Sequence, residues 1–335
     1  MARARRTVRT RPHAGPRRRH RLRTVLLVLL AAAGVVTASS VVYNAATSTP
    51  PAPPDGLTFL QAGDVRTRFL RWGDHGSPVV LVPGAFETAD AWHALGEALA
   101  TDHRVYAFDL TGQGYSDAVA PFDVEHDVAQ TLAFTRALGL TGPDAPVLVG
   151  HSSAAAIVGL AALEAPDDVA GVVFLDGDAL PLEVPTWGPR LLVDPYRTSL
   201  VRVALRSDRL VGRLYSSQCG PTCAPLDAAG IDLWRRPLQQ RGTERALLSN
   251  ATRGIIPAMS HEQLDALRRS AVPRLVVWGR DDVDGAYTTD SPSSTSAAIG
   301  APPPVFVPGR HLTMISSPDE VAAAVRRLAD ARAQR

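Results

Sequence analysis

From residue 57 onward, short apolar runs alternate with stretches of helical periodicity, and this alternation limits the fold more than any other feature of the chain. A strand buried on both faces reads as an unbroken apolar run, whereas a strand with one wet face alternates residue by residue. Val79–Val82, Val105–Phe108, Val147–Val149, Val172–Leu175, Leu275–Trp278 and Val305–Val307 are unbroken, and predict successive buried parallel strands. Thr58–Gln61 and Val65–Trp72 predict an opening antiparallel pair. Helices are expected between them, at about 88–100, 124–138, 153–165, 261–270 and 317–331. The fold class is therefore α/β: a mostly parallel eight-stranded sheet with helices on both faces. The alternation breaks between about 180 and 260, a stretch rich in Arg, Leu and Pro that holds Trp187, Trp234 and both cysteines. It reads as a helical segment inserted between the sixth and seventh strands.

The first 56 residues follow different rules. Ten Arg and no Asp or Glu occur in residues 1–23, a basic tail. That leaves 25 basic residues, all Arg, against 33 acidic ones in the rest, a balance of about −8. A basic tail on an acidic body argues against a nucleic-acid-binding surface on the body. Val25 to Tyr43 is nineteen residues without a charge, close to what crosses ~30 Å of hydrocarbon. Arg17, Arg18, Arg19, Arg21 and Arg23 precede it and no basic residue follows until Arg66. That asymmetry keeps the N-terminus in the cytoplasm and sends the body outward. Residues 24–44 are expected to be a retained single-pass anchor, or a signal peptide cleaved near Val36-Thr37-Ala38, which would release a secreted body. Thr47 to Gly56 is a Pro-rich, semi-rigid linker, taken to span 45–56. The folded body is expected over 57–335.

Val147-Leu148-Val149-Gly150-His151-Ser152-Ser153-Ala154 is an apolar strand running into G-x-S-x-A and then an Ala-rich helix. A strand that turns sharply into a helix needs small residues around the Ser, holds it in a strained conformation and exposes its Oγ. The Ser153 N–H, at the helix N-terminus, is placed to bind a developing oxyanion. The plain alternative is an ordinary small-residue turn between strand and helix.

With these residues the body, over nearly all of 57–333, resembles the α/β-hydrolase fold family. The resemblance implies further roles. Val82-Pro83-Gly84-Ala85-Phe86 ends the third strand, where the family carries a His-Gly pair and then the residue whose N–H completes the oxyanion hole; that role maps onto Ala85. Pro83 stands in place of the usual His, so the local hydrogen bonding must differ. Asp109 to Ser116 is similar to the family's D-x-x-G-x-G-x-S loop, and reads as structural. His311, after the last strand, matches the family's catalytic His. Trp278-Gly279-Arg280-Asp281-Asp282 resembles the strand-seven G-x-x-D and selects Asp282 as the acid. Asp281 and Asp284 are its neighbours in sequence, and Asp176 and Asp178 after strand six remain open.

Cys219 and Cys223 are the two cysteines, and in an exported body a disulfide between them is the leading reading. Two thiolates with no His nearby are too few ligands for a metal site. The expected activity is ester hydrolysis through a Ser152, His311, Asp282 triad, with no metal and no organic cofactor, under a cap at about 180–260. The expected substrate is a small-molecule or lipid ester. C–C bond hydrolysis, lactonase or perhydrolase chemistry, and a silent binding protein of the same fold, are the alternatives.

Overall fold

The computed structural model describes residues 16–181, 193–253, 257–283 and 287–333. Trp187, Asp284 and the basic residues before Pro16 lie outside these described residues. Eight strands form one sheet: β1 Thr58–Ala62, β2 Val65–Trp72, β3 Pro78–Val82, β4 Arg104–Phe108, β5 Val147–His151, β6 Gly171–Leu175, β7 Arg274–Gly279 and β8 Val305–Val307. Their order is β1-β2-β4-β3-β5-β6-β7-β8. β1 and β2 pair antiparallel, as does β2 with β4, and every later pairing is parallel. All eight expected strands are present.

The helices are α1 Pro16–Ala46, α2 His93–Leu99, α3 Val124–Ala137, α4 Ala154–Glu164, α5 Tyr196–Leu205, α6 Asp208–Cys219, α7 Ala228–Arg235, α8 Thr243–Arg253, α9 His261–Arg269, α10 Ser291–Ile299, α11 Thr313–Ser316 and α12 Pro318–Ala333. Successive residues of a strand point to opposite faces, so β3 divides its apolar run between two cores. Val80 and Val82 join Phe108, Leu148 and Phe174 under α3, α4, α9 and α10. Val79 and Leu81 join Val105, Val149 and Val277 under α2 and α12. Helices thus cover both faces of the inner strands, as their unbroken runs require; Val305–Val307, expected to be buried, is the edge strand β8, with Phe306 exposed. Between β6 and β7, α5 to α8 form the inserted segment, while α9 returns to the sheet through Leu264 and Leu267.

α1 runs longer than its apolar stretch, starting at Pro16. Its span Arg23–Ala46 is long and apolar enough to cross a membrane, and none of it is buried in the protein. The segment after α1 is held rather than free. Arg206 Nη2 donates to the Thr47 carbonyl (2.9 Å), Gln240 Nε2 to that of Pro51 (3.3 Å) and Arg236 Nη1 to that of Ala52 (3.3 Å).

Candidate active site

β5 ends at His151 and α4 begins at Ala154, so Ser152 sits in a turn of two residues. Its φ is +52°, in the left-handed region that L side chains avoid. The Ser152 N–H donates to the Leu175 carbonyl of β6 (2.9 Å), and its own carbonyl accepts from Ala155 (3.1 Å). Gly150 is required here, because a Cβ would stand 2.3 Å from the Ala154 carbonyl oxygen. Sheet register and turn together therefore hold the strained Ser.

Ser152 Oγ is 3.0 Å from His311 Nε2, and His311 Nδ1 is 2.9 Å from Asp282 Oδ2. The carboxylate is buried, and its residue is fixed at the end of β7: the Asp282 N–H donates to Gly279 (3.1 Å), and Trp278 Nε1–H to the Asp282 carbonyl (3.2 Å). The structure brings together the three residues singled out from the sequence. Asp281 is exposed. Asp178 accepts from the Leu180 N–H (3.2 Å), and burial raises its carboxyl above the ordinary value. Asp176 is fully buried and ties strand ends together, accepting from the Gly279 N–H (2.7 Å) and from the Thr313 hydroxyl. Burial and then the Asp282 charge push its carboxyl up to about 8. It is the Asp282 carboxylate, not that of Asp176, that meets His311.

Ala85 and Ser153 line a cavity of about 680 Å³. Among the described residues neither N–H is taken up by an internal acceptor. The cavity walls are largely apolar, with Leu110, Ile157, Val201, Leu205, Leu238 and Ala246. Asp127, also in the lining, is pushed up to about 7, chiefly by burial and then by Asp123 and Glu125 against the opposing charge of His126.

Two features were not singled out from the sequence. Glu87 and His151 form a buried pair, with Nδ1 of His151 2.8 Å from Glu87 Oε1. The other ring nitrogen, Nε2, donates to the His311 carbonyl (2.6 Å), and Glu87 Oε2 accepts from the Gly84 N–H (2.8 Å). Burial alone would push the Glu87 carboxyl up, but His151 and the Gly84 amide hold it below its ordinary value. Burial would likewise lower the His151 imidazole, yet Glu87 and the His311 carbonyl raise it. Both shifts favour the charged forms. With Pro83 in this loop, the polar link to the nucleophile turn runs through Glu87, four residues on. Tyr287 is the second feature. It is buried, its ring centroid 5.6 Å from that of His311, and its hydroxyl is raised by burial beside Ser152.

The Asp109 loop is structural. The Asp109 carboxylate accepts from the Ala89 N–H (2.7 Å) and the Tyr115 N–H (2.8 Å), and stands 3.5 Å from buried Arg68. At Gly114, with φ +57°, a Cβ would fall 2.1 Å from that carboxylate. Cys219 and Cys223 are disulfide-bonded, with Cα atoms 5.8 Å apart. Among the described residues no group of three or more His, Cys, Asp or Glu side chains gathers to hold a metal.

The sequence profile of the alpha/beta hydrolase family matches residues 79–324. An N-formylmaleamate deformylase of Pseudomonas putida is 32% identical over 119 residues, 35% of this chain and 43% of that protein. A pimeloyl-acyl-carrier-protein methyl ester esterase of Aliivibrio salmonicida is 34% identical over 109 residues, 32% of this chain and 39% of that protein. The chain thus spans less than half the length of these curated relatives. Among solved structures, that of a membrane phospholipase A, described as a bacterial virulence factor, superposes with a TM-score of 0.63 at 19% identity, covering 95% of this chain and all of that one. The fold likeness therefore extends past the sheet and its helices into the N-terminal segment.

Proposed function

Because the chain belongs to the alpha/beta hydrolase family, whose members differ in chemistry by what their sites hold, we propose that it hydrolyses carboxylic esters through Ser152, His311 and Asp282. The observation that carries the reading is the continuous chain of contacts from Ser152 Oγ to His311 (3.0 Å) and from His311 to Asp282 (2.9 Å). His311 Nε2 takes the Ser152 proton as Oγ attacks the ester carbonyl, and Asp282 orients the ring and stabilises its cationic form. The free N–H groups of Ala85 and Ser153 receive the developing oxyanion. The alcohol leaves with the proton from His311, which then activates water to release the acid from the acyl-enzyme. No step calls for a metal or an organic cofactor.

The segment α5 to α8 acts as the cap, since its Val201, Leu205, Leu238 and Ala246 line the same cavity as Ala85 and Ser153. α1 serves as a retained anchor with the body on the outer side, in keeping with the Arg cluster on its N-terminal side alone. Its last turns are built into the cap: Asn44 Nδ2 donates to the Pro195 carbonyl (2.8 Å) and Arg202 Nη1 to the Asn44 carbonyl (2.5 Å). Cleavage near Ala38 would cut the helix that makes these contacts.

A series of p-nitrophenyl esters of increasing chain length tests the activity. Turnover that disappears in Ser152→Ala supports the reading. No turnover on any ester turns attention to the C–C hydrolase, lactonase and perhydrolase alternatives.

A further inference from the structure

Helix α5 has three faces, and each meets different surroundings. Ser199, Arg202 and Arg206 hold the end of α1: Ser199 Oγ donates to Asn44 Oδ1 (2.9 Å), Arg202 Nη1 to the Asn44 carbonyl (2.5 Å) and Arg206 Nη2 to the Thr47 carbonyl (2.9 Å). Val201, Ala204 and Leu205 line the cavity. Tyr196, Leu200 and Val203 are exposed, at 37%, 56% and 53%. Each set recurs at steps of three and four, so each occupies one side of the helix. At 3.6 residues per turn the three sides stand roughly 90–140° apart. The third side is a largely apolar stripe whose Tyr196 hydroxyl touches α1 while Leu200 and Val203 stand exposed.

The contacts with α1 set the height of this stripe. The apolar span Arg23–Ala46 has 24 residues, about 36 Å at 1.5 Å per residue against ~30 Å of hydrocarbon. With Arg23 at the cytoplasmic headgroups, the hydrocarbon ends about 20 residues later, close to Tyr43. Thr37 then lies about 9 Å inside the outer boundary, and its Oγ1 is 2.5 Å from the Tyr196 hydroxyl. The Tyr196 hydroxyl reaches that depth while the start of α5 sits beside Asn44, whose Nδ2 donates to the Pro195 carbonyl (2.8 Å), so Arg202 and Arg206, beside Asn44 and Thr47, stand among the headgroups. Amphipathic helices at an interface sink their apolar face ~5–10 Å; α1 holds the Tyr196 hydroxyl at that depth and Leu200 and Val203, one and two turns further along, at the boundary of acyl chains and headgroups.

The geometry points to the outer leaflet of the bilayer as the surface that covers Tyr196, Leu200 and Val203, and to a leaflet-dissolved lipid ester as the substrate class, because the same helix forms the wall of the cavity. The substrate class rests on the esterase reading above; the docking surface does not. The exposed stripe and the cavity wall are two sides of one helix, so an acyl chain leaving the leaflet has only this helix to pass before the cavity that Ala85 and Ser153 line. The anchor thus fixes the height of the cap as well as tethering the chain.

The test uses the full chain reconstituted in phosphatidylcholine–phosphatidylglycerol vesicles. Bimane is attached at Leu200→Cys and, as a control at the far end of the sheet, at Asp74→Cys, the native cysteines being disulfide-bonded. Lipids brominated on their acyl chains are expected to quench the probe at 200 at least threefold more than at 74. Equal quenching overturns the proposal. So does an unquenched probe at 200 combined with Leu200→Cys disulfide dimers, which would mean that a second copy covers the stripe. In a second arm, Leu200→Asp with Val203→Asp is expected to lower hydrolysis of p-nitrophenyl palmitate dissolved in the vesicles at least tenfold, with soluble p-nitrophenyl butyrate kept within twofold. Equal loss on both esters, or loss on neither, overturns the lipid-entry claim. Failure of the wild type on both esters overturns the esterase reading and with it the substrate class, and the quenching arm still decides the docking surface.

Discussion

Glu87 Oε1 lies 2.8 Å from His151 Nδ1, and through the far side of the same ring the contact continues, at 2.6 Å, to the backbone of His311. Three loops are joined by this pair: the one after β3 that carries Ala85, the nucleophile turn after β5, and the His311 loop after β8. The Gly84 N–H on Glu87 Oε2 closes the set. Removing one member of a buried ion pair strands the other charge and costs about 3–5 kcal/mol. Glu87→Ala is therefore expected to lose stability in that range by urea denaturation. Glu87→Gln, which keeps the shape of the side chain and an acceptor for the Gly84 N–H, is expected to lose less. A loss below about 0.5 kcal/mol in Glu87→Ala, the scale of an ordinary surface substitution, would contradict this account of the pair.

Asp282 and Asp176 are the two buried carboxylates near His311, and their contacts assign them different work. Asp282→Asn removes the acceptor that holds the His311 tautomer, and kcat on a p-nitrophenyl ester is expected to fall by about 10³–10⁴. Asp176→Asn keeps an acceptor for the Gly279 N–H and is expected to retain kcat within about tenfold, since a typical neutral hydrogen bond contributes about 1 kcal/mol. The reverse order of losses would transfer the acid's role to Asp176.

Asp176 also gives stability a pH dependence. Its carboxyl is raised from 3.8 to about 8 in the folded protein, so folding favours the neutral form. This contribution is complete below pH 3.8 and is lost as pH climbs to about 8, with a slope of at most about 1.4 kcal/mol per pH unit. Urea midpoints of wild type and Asp176→Asn measured at pH 5 and pH 8 are expected to diverge, the wild type declining more. Parallel curves would contradict it.

The disulfide closes a short loop at the end of α6, beside the His311 loop: the Leu312 N–H donates to the Gln218 carbonyl (3.2 Å) and Arg310 Nη1 to that of Ser217 (3.2 Å). For a loop this short the chain-entropy relation gives about 2 kcal/mol. The double variant Cys219→Ser with Cys223→Ser is expected to lose about that much, measured against wild type under non-reducing conditions.

Much of the fold was legible because strands buried on both faces leave unbroken apolar runs; all six such runs became strands, as did the two segments of the opening antiparallel pair. Ser152, Asp282 and His311 were legible because each follows a strand whose end the pattern marks. Glu87 was not, since a Glu one turn past a strand reads as a solvated loop charge, and nothing local reveals that His151 lies against it. Tyr287 was hidden for the same reason: it meets the site from the loop after β7, across the strand ends and not along the chain. The docking of α5 on α1 joins residues some 155 apart, from Ser40 and Asn44 to Ser199. No periodicity in either helix reports such a pairing.

Covalent labelling with a fluorophosphonate tests the central claim most directly, because the probe reports an activated serine whatever the natural ester is. The account predicts one adduct per chain, mapped by peptide mass to Ser152, absent in Ser152→Ala and strongly slowed in His311→Ala. An unlabelled wild type, or equal labelling in Ser152→Ala, would contradict it.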